Sequence, residues 1–252
     1  MSTIAVVGNL SLDRVAGSRP RIGGGPYHAA RALRLLGARA RLVARCADGD
    51  RRFLLPRLAA LGIPLRLLPG ETTAAFSFTY HHGVRTMNID VLGDAWTPDD
   101  VRTLDRHVGW VQVAPLARSD FPSETIAQLA QGRRVLLDGQ GLVRKPQTGR
   151  LELNADFDRD VLEHVSILKL AEEEAELVGD VDVPERIVTF GAGGSIVYAN
   201  GREKRVPAWP LTRDPTGAGD GFCAAYLAAR ASGLAPVQAA RRATTVVGAM
   251  LR

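Results

Sequence analysis

The sequence predicts an α/β fold of three layers, α/β/α, with a mostly parallel central sheet between two sets of helices. Three observations carry this. Strand-like runs alternate with helix-like segments along most of the chain. The first of them, Ile4-Ala5-Val6-Val7, is wholly apolar and closed by Gly8-Asn9, as a buried strand is. One pair of alternating runs, Thr73–Tyr80 and Val84–Val91, breaks the rhythm and reads as a separate β-hairpin with two unlike faces. No internal repeat, low-complexity tract or long linker interrupts the pattern, so residues 1–252 are expected to form a single domain.

The elements follow in order. Tyr27 to Leu36 is rich in Ala, Leu and Arg and stops at Gly37, a helix with a glycine end signal. Ala40 to Ala44 is a strand, and Arg51 to Leu61 a helix ended by Gly62. The hairpin then turns at His81-His82-Gly83. Val108 to Val113 is a strand, Ser123 to Gln131 a helix, and Val135 to Leu137 a strand ending at Asp138. Phe157 to His164 reads as a helix, Ser166 to Leu170 as a strand and Glu172 to Val178 as a helix. Ile187 to Phe190 is a strand that enters the turn Gly191-Ala192-Gly193-Gly194. Ser195 to Tyr198 and Glu203 to Val206 make a short hairpin, and the helices Gly217–Ala231 and Pro236–Leu251 close the chain. Sheets of this kind bind ligands at the carboxyl ends of their strands.

Composition narrows the class. With 252 residues, 46% of them hydrophobic, the chain can bury a sizeable core. No apolar run approaches the roughly 20 residues of a membrane helix. The N-terminus lacks the basic and apolar regions of an export signal. Cys46 and Cys223 are far apart and have no metal-type spacing, so they read as reduced thiols in a cytoplasmic protein. The net charge of +5 is spread through the chain as Arg, and Lys145, Lys169 and Lys204 are its only lysines. The densest basic clusters are broken by apolar and acidic residues, which predicts a mildly anion-attracting surface and no nucleic-acid partner.

The most specific segment is Asp214-Pro215-Thr216-Gly217-Ala218-Gly219-Asp220. It precedes a helix whose Phe222, Ala225, Tyr226 and Ala229 share one face. Gly217 and Gly219 permit close backbone approach. The N–H groups of Gly217, Ala218 and Gly219 are expected to point from the helix start as free donors, a site for phosphate or a developing anion. A carboxylate there, Asp220, suits a base beside an arriving phosphorus. Its pKa is expected to be lowered by the helix end, which a loose phosphoryl-transfer transition state tolerates. The bland reading is a glycine turn with an ordinary first-turn acid.

The heptapeptide resembles the C-terminal signature of the ribokinase-like (PfkB) sugar-kinase family, and the resemblance extends over essentially the whole chain. It implies an ATP- and Mg²⁺-dependent kinase acting on a hydroxyl of a small sugar or polyol, with Asp220 as base and the 217–219 backbone, with Thr216 beside it, at the phosphates. Val6 to Asp13 looks like the family's opening strand, and Asp13 would bind acceptor hydroxyls. Gly23-Gly24-Gly25-Pro26-Tyr27-His28 looks like its N-terminal glycine signature, which puts Gly24 and Gly25 against the acceptor. His28 stands where an Asn is usual; it could bind the acceptor or simply pack. Thr189 and Gly191, Gly193 and Gly194 resemble the turn that backs the nucleotide, and Thr244 falls near its adenine pocket. Glu174 matches the Glu of Asn-x-x-Glu, linked to Mg²⁺ through water or phosphate, while Ala171 replaces the Asn. Asp138 ends a strand on the ligand side, and Arg144 is a candidate for neutralising the phosphoryl oxygens; as an alternative it is a surface loop residue.

The hairpin, with residues of about 10–22 and 72–92, sits where the family has a lid, here a small one. The chain ends at Arg252, where many relatives continue into a cation-binding loop, so a strong potassium requirement is not expected. Motifs and lid look most similar to inositol-kinase-like sugar or polyol kinases. A nucleoside acceptor is the alternative, and a non-catalytic sugar- or nucleotide-binding regulator another. A nicotinamide oxidoreductase fails on motif, because the first strand is not followed by G-x-G-x-x-G. Monomer and homodimer both remain open.

Overall fold

The computed structural model describes residues 3–15, 17–81, 84–209 and 215–252. The turn residues His82 and Gly83, and Asp214 of the glycine signature, lie outside the described residues.

A nine-stranded sheet forms the body. Its edge-to-edge order is Arg202–Val206, Ser195–Ala199, Glu185–Thr189, Ile167–Ala171, Arg134–Asp138, Val108–Val113, Thr3–Asn9, Ala40–Ala47 and Leu65–Gly70. Neighbours from Glu185–Thr189 to Leu65–Gly70 run parallel, and the other two strands make an antiparallel edge. The predicted mostly parallel sheet is therefore present. Period-two alternation sorts each strand between two cores. On the first strand Ile4 and Val6 pack with the helices Gly25–Leu36, Ala218–Ala231 and Pro236–Met250. Ala5 and Val7 face the opposite layer, with Val101, Ile126 and Leu129.

The carboxyl ends of the parallel strands share one edge of the sheet, and Asn9, Val113, Asp138, Ala171 and Thr189 stand there. Above it lies a second sheet of five strands, in the order Gly149–Arg150, Val84–Val91, Ala74–His81, Ser11–Val15 and Arg21–Gly23. Phe76, Phe78, Ile89 and Leu116 form its small core.

Three readings change. The opening strand does not run to Asp13. It ends at Asn9, Leu10 N–H donates to Arg45 O at 2.9 Å, and Ser11 begins a strand of the second sheet. Gly24 allows this departure, since a β-carbon there would stand 2.5 Å from Asn9 O. Within the expected lid segment of about 10–22, Ser11–Val15 and Arg21–Gly23 pair with each other, and Ser11–Val15 with Ala74–His81. Phe157–His164 is not an α-helix. A 3₁₀ segment covers Arg159–His164 with only Val161 buried, so nothing enforces a 3.6-residue period. Leu65–Gly70 is a strand the sequence reading passed over, because Pro69 and Gly70 look like a turn but occupy the sheet's edge.

Candidate active site

A cavity of about 220 Å³ opens between the strand ends, the lid and the start of the helix Ala218–Ala231. The lid supplies Asp13, Phe76, Phe78 and Met87, the sheet supplies Asp138 and Lys169, and the helix start supplies Gly217, Gly219 and Asp220. Gly24, His28, Arg144, Thr216 and Glu174 complete the wall used below.

Missing side chains shape this site. A β-carbon on Gly23 would lie 2.2 Å from Asp13 Oδ2, so Gly23 makes room for that carboxylate. Asp13 Oδ1 accepts from Ser11 Oγ at 2.7 Å, which fixes its direction. A β-carbon on Gly25 would lie 3.0 Å from Asp220 Oδ1. The two halves of the chain thus meet where the N-terminal glycines leave space for the C-terminal acid.

The helix start differs from expectation in one respect. Gly217 caps it in the left-handed region, φ 79°, and Gly221 N–H closes the first turn on Gly217 O at 2.9 Å. Ala218 N–H is not free, because it donates to Pro215 O at 2.9 Å. The amides of Gly219 and Asp220 have no acceptor among the described residues. Of the three expected donors only Ala218 is spent; Gly217 and Gly219 have no backbone acceptor among the described residues, and Asp220 adds a fourth amide.

Electrostatics correct a second expectation. Asp220 is pushed up to about 7, not lowered. Burial is the largest cause and the Asp138 carboxylate adds to it; Lys169 and Arg144 oppose the rise, and Asp13 contributes a little more of it. The helix end does not outweigh a desolvated site in which Asp138 and Asp13 add negative charge. Asp220 Oδ1 has no hydrogen-bond partner among the described residues. Lys169 is buried, and its Nζ lies 3.3 Å from Asp138 Oδ1; the carboxylates of Asp138 and Glu174 hold its pKa above the usual lysine range against the cost of burial. Asp138 is itself 2% exposed, and Oδ2 faces Cys223 Sγ at 3.7 Å. Glu174 reaches back to accept from Ala171 N–H at 2.7 Å, capping its own helix, and burial raises its pKa. Arg144 Nη1 donates to Leu116 O at 3.4 Å.

A second cavity, about 320 Å³ and largely apolar, lies on the other side of the helix start. Thr189, Gly191, Gly194 and Thr244 line it, with Trp209, Phe222 and Val247. Gly193 stands outside this wall with its amide donated to Phe190 O at 2.8 Å, and Thr216 faces the first cavity instead. Pro215 and Gly219 belong to both cavities. Of the predicted residues, Asp13, Gly24, His28 and Asp138 thus line one cavity and Thr189, Gly191, Gly194 and Thr244 the other, on two sides of one glycine turn, while Gly25 lines neither.

Lys169 and Trp209 escaped the sequence reading. Lys169 carried a signal, being one of only three lysines in an arginine-rich chain. Trp209 carried none, since its 87% exposure at a cavity mouth depends on tertiary structure.

Among known proteins, the chain is 36% identical over 146 residues to inositol 3-kinase of Zea mays, a match covering 54% of this chain and 38% of that protein. The chain thus spans well under half the length of this plant relative. It is 26% identical over 263 residues to cytidine kinase of Thermococcus kodakarensis, covering 92% of this chain and 90% of that one. Its fold matches a pyrophosphate-dependent kinase in the ribokinase family, solved with a pyrophosphate analogue and myo-inositol, with TM-score 0.84 and 22% identity over 99% of this chain and 95% of that one. The family model for pfkB family carbohydrate kinases matches residues 4–251, and the chain belongs to that family.

Proposed function

We propose that this protein transfers the γ-phosphoryl group of ATP to a hydroxyl of a small polyol or sugar, with an inositol-like acceptor favoured. The observation that carries this is the meeting of a polar cavity and an apolar cavity at Pro215 and Gly219, beside an Asp220 Oδ1 with no partner among the described residues. An acceptor held by Asp13, Asp138 and His28 over Gly24 and Gly25 would present its hydroxyl to Asp220. A pKa near 7 suits Asp220 as a general base. The proton passes to Oδ1, the acceptor oxygen bonds to phosphorus, and the bridging bond breaks with its electron pair leaving on ADP. The amides of Gly219 and Asp220, in the turn formed by Gly217 and Ala218, face the developing charge, with Arg144 opposite.

The second cavity supports a nucleotide donor. Its apolar wall, with Thr189, Gly191, Gly194 and Thr244, fits a purine better than a bare pyrophosphate would need. Among the described residues no three acid, His or Cys side chains converge as a metal cage. Glu174 would hold Mg²⁺ through water, with the remaining ligands supplied by phosphate oxygens. When bound, Mg²⁺ would neutralise phosphate charge.

A nucleoside acceptor is the second reading, favoured by the length of the match to the cytidine kinase. The test is a panel of inositols, ketoses, ribose and nucleosides, each offered ATP and pyrophosphate. ATP-dependent phosphorylation of an inositol is expected. Selective nucleoside turnover would replace that reading, and pyrophosphate-only turnover would remove ATP as donor.

A further inference from the structure

We infer that Lys169 is a further catalytic residue, its ammonium neutralising the migrating phosphoryl group from the sheet side of the cleft. The inference rests on the phosphotransfer reading above and adds a residue to it.

The chain's usage of cations sets Lys169 apart. It has three lysines against 29 arginines, 32 basic residues less three. Lys204 is exposed, and Lys145 pairs with Glu152 at the surface. Lys169 alone is buried, 5% exposed, and it lines the reaction cavity. Its neighbours Leu168 and Leu170 point the other way, into the core. Strand alternation therefore aims the one buried lysine at the site.

Its donors are incompletely used. An ammonium has three N–H bonds. Asp138 Oδ1 takes one at 3.3 Å, and no other acceptor is present among the described residues. Nζ lies 3.2 Å from the point a Gly219 β-carbon would occupy. The Gly219 amide also lacks an acceptor. A cation with spare donors and a free amide thus converge on the space the two cavities share.

Burying an ammonium is costly unless it is paired. Asp138 and Glu174 supply the opposing charge, so the lysine stays protonated throughout the reaction. A single pair at 3.3 Å is loose for a purely structural bridge, yet it holds a compact charge on a flexible stem that can follow a moving group. During transfer the acceptor proton goes to Asp220, the new O–P bond forms, and ADP departs with the electrons of the old one. The three equatorial oxygens then lie between Lys169 and the amides of Gly219 and Asp220.

The test combines two variants with one complex. Lys169→Met should lower kcat by about 100-fold or more, the scale of losing one transition-state donor, measured with myo-inositol or the acceptor found in the panel. ADP affinity, read by calorimetry, should change little, because ADP lacks the transferred group. Lys169→Arg should recover at least about tenfold over Lys169→Met, since the charge returns without the shape. In a crystal of the parent protein with ADP and aluminium fluoride, Nζ should lie roughly 2.7–3.2 Å from a fluoride. Lys169→Met turning over at the parent rate overturns the inference. So does an Nζ that stays on Asp138, beyond about 4 Å from any fluoride; that complex decides the matter if Lys169→Met does not fold. Loss of turnover in Asp220→Asn with an active Lys169→Met removes Lys169 alone. An Asp220→Asn protein as active as the parent removes the phosphotransfer reading itself.

Discussion

The His28 ring fills the space that a β-carbon on Gly217 would need: such an atom would stand 2.1 Å from Nδ1. Gly217 also has φ 79°, a conformation L side chains rarely adopt. Residue 28 on the first helix and the cap of the Ala218–Ala231 helix therefore form one wall. Gly217→Ala should cost about 1–3 kcal/mol from the strained backbone alone, and should lower kcat by about 100-fold through displaced amides. Adding His28→Ala removes the clash and leaves the strain, so the double variant should regain part of the stability. Thermal unfolding and turnover of the two proteins check this.

The raised pKa of Asp220 has consequences for both rate and stability. The carboxyl titrates near 3.8 when unfolded and near 7 when folded. Between those values the folded state holds a proton that the unfolded state has lost. Its favourable contribution is therefore present at low pH and lost as pH rises through about 7. Asp220→Asn should melt at a higher temperature than the parent at pH 8, with the gap closing towards pH 4. Asp120, also pushed up to about 7 by burial, is common to both proteins and cancels. For the parent, kcat/KM should fall as pH drops below about 7. A pH-independent melting difference would contradict this.

Trp209 is the only tryptophan with a largely exposed ring; Trp96 is fully buried and stacks on Phe121, and Trp110 packs against the core. Because Trp209 lines the apolar cavity, ATP should change the intrinsic fluorescence of the parent and leave that of Trp209→Phe nearly unchanged. Titration with ATP and with pyrophosphate compares the two donors directly.

At the amino end of the strand Glu185–Thr189, the Tyr226 hydroxyl donates to Glu185, which also pairs with Arg230 at 3.1 Å. Tyr226 and Glu185 are buried, Tyr226 completely. Tyr226→Phe should cost about 1–3 kcal/mol, the penalty for one buried bond to a charged group, with kcat unchanged. Denaturant unfolding measures it.

Much of this fold was legible because buried parallel strands and glycine-ended helices write their pattern locally. The Asp220 turn was legible for the same reason, as a compact segment with one chemical purpose. The lid strands Ser11–Val15 and Arg21–Gly23 were not, since they are short and gain their partners only through Ala74–His81 and one another. Lys169 sits in a segment read only as a strand, and its meaning depends on Asp138, 31 residues away. The pKa of Asp220 could not be read from its helix, because Asp138 and the burial that raise it come from other elements. Gly24 and Gly25 were read as lying against a substrate; the atoms a β-carbon there would meet first, Asn9 O and Ala114 Cβ, come from other elements and leave no local signal.

Phosphotransfer in this protein turns on Asp220 as the base at the junction of the two cavities. The most direct measurement is phosphorus NMR of ATP with the panel acceptor, comparing the parent with Asp220→Asn, while ATP binding is followed by calorimetry. The parent should form a phosphate ester and ADP together. Asp220→Asn should bind ATP and form the ester about 100-fold more slowly or less, the scale of losing a general base. Ester formation at the parent rate by Asp220→Asn would contradict the account.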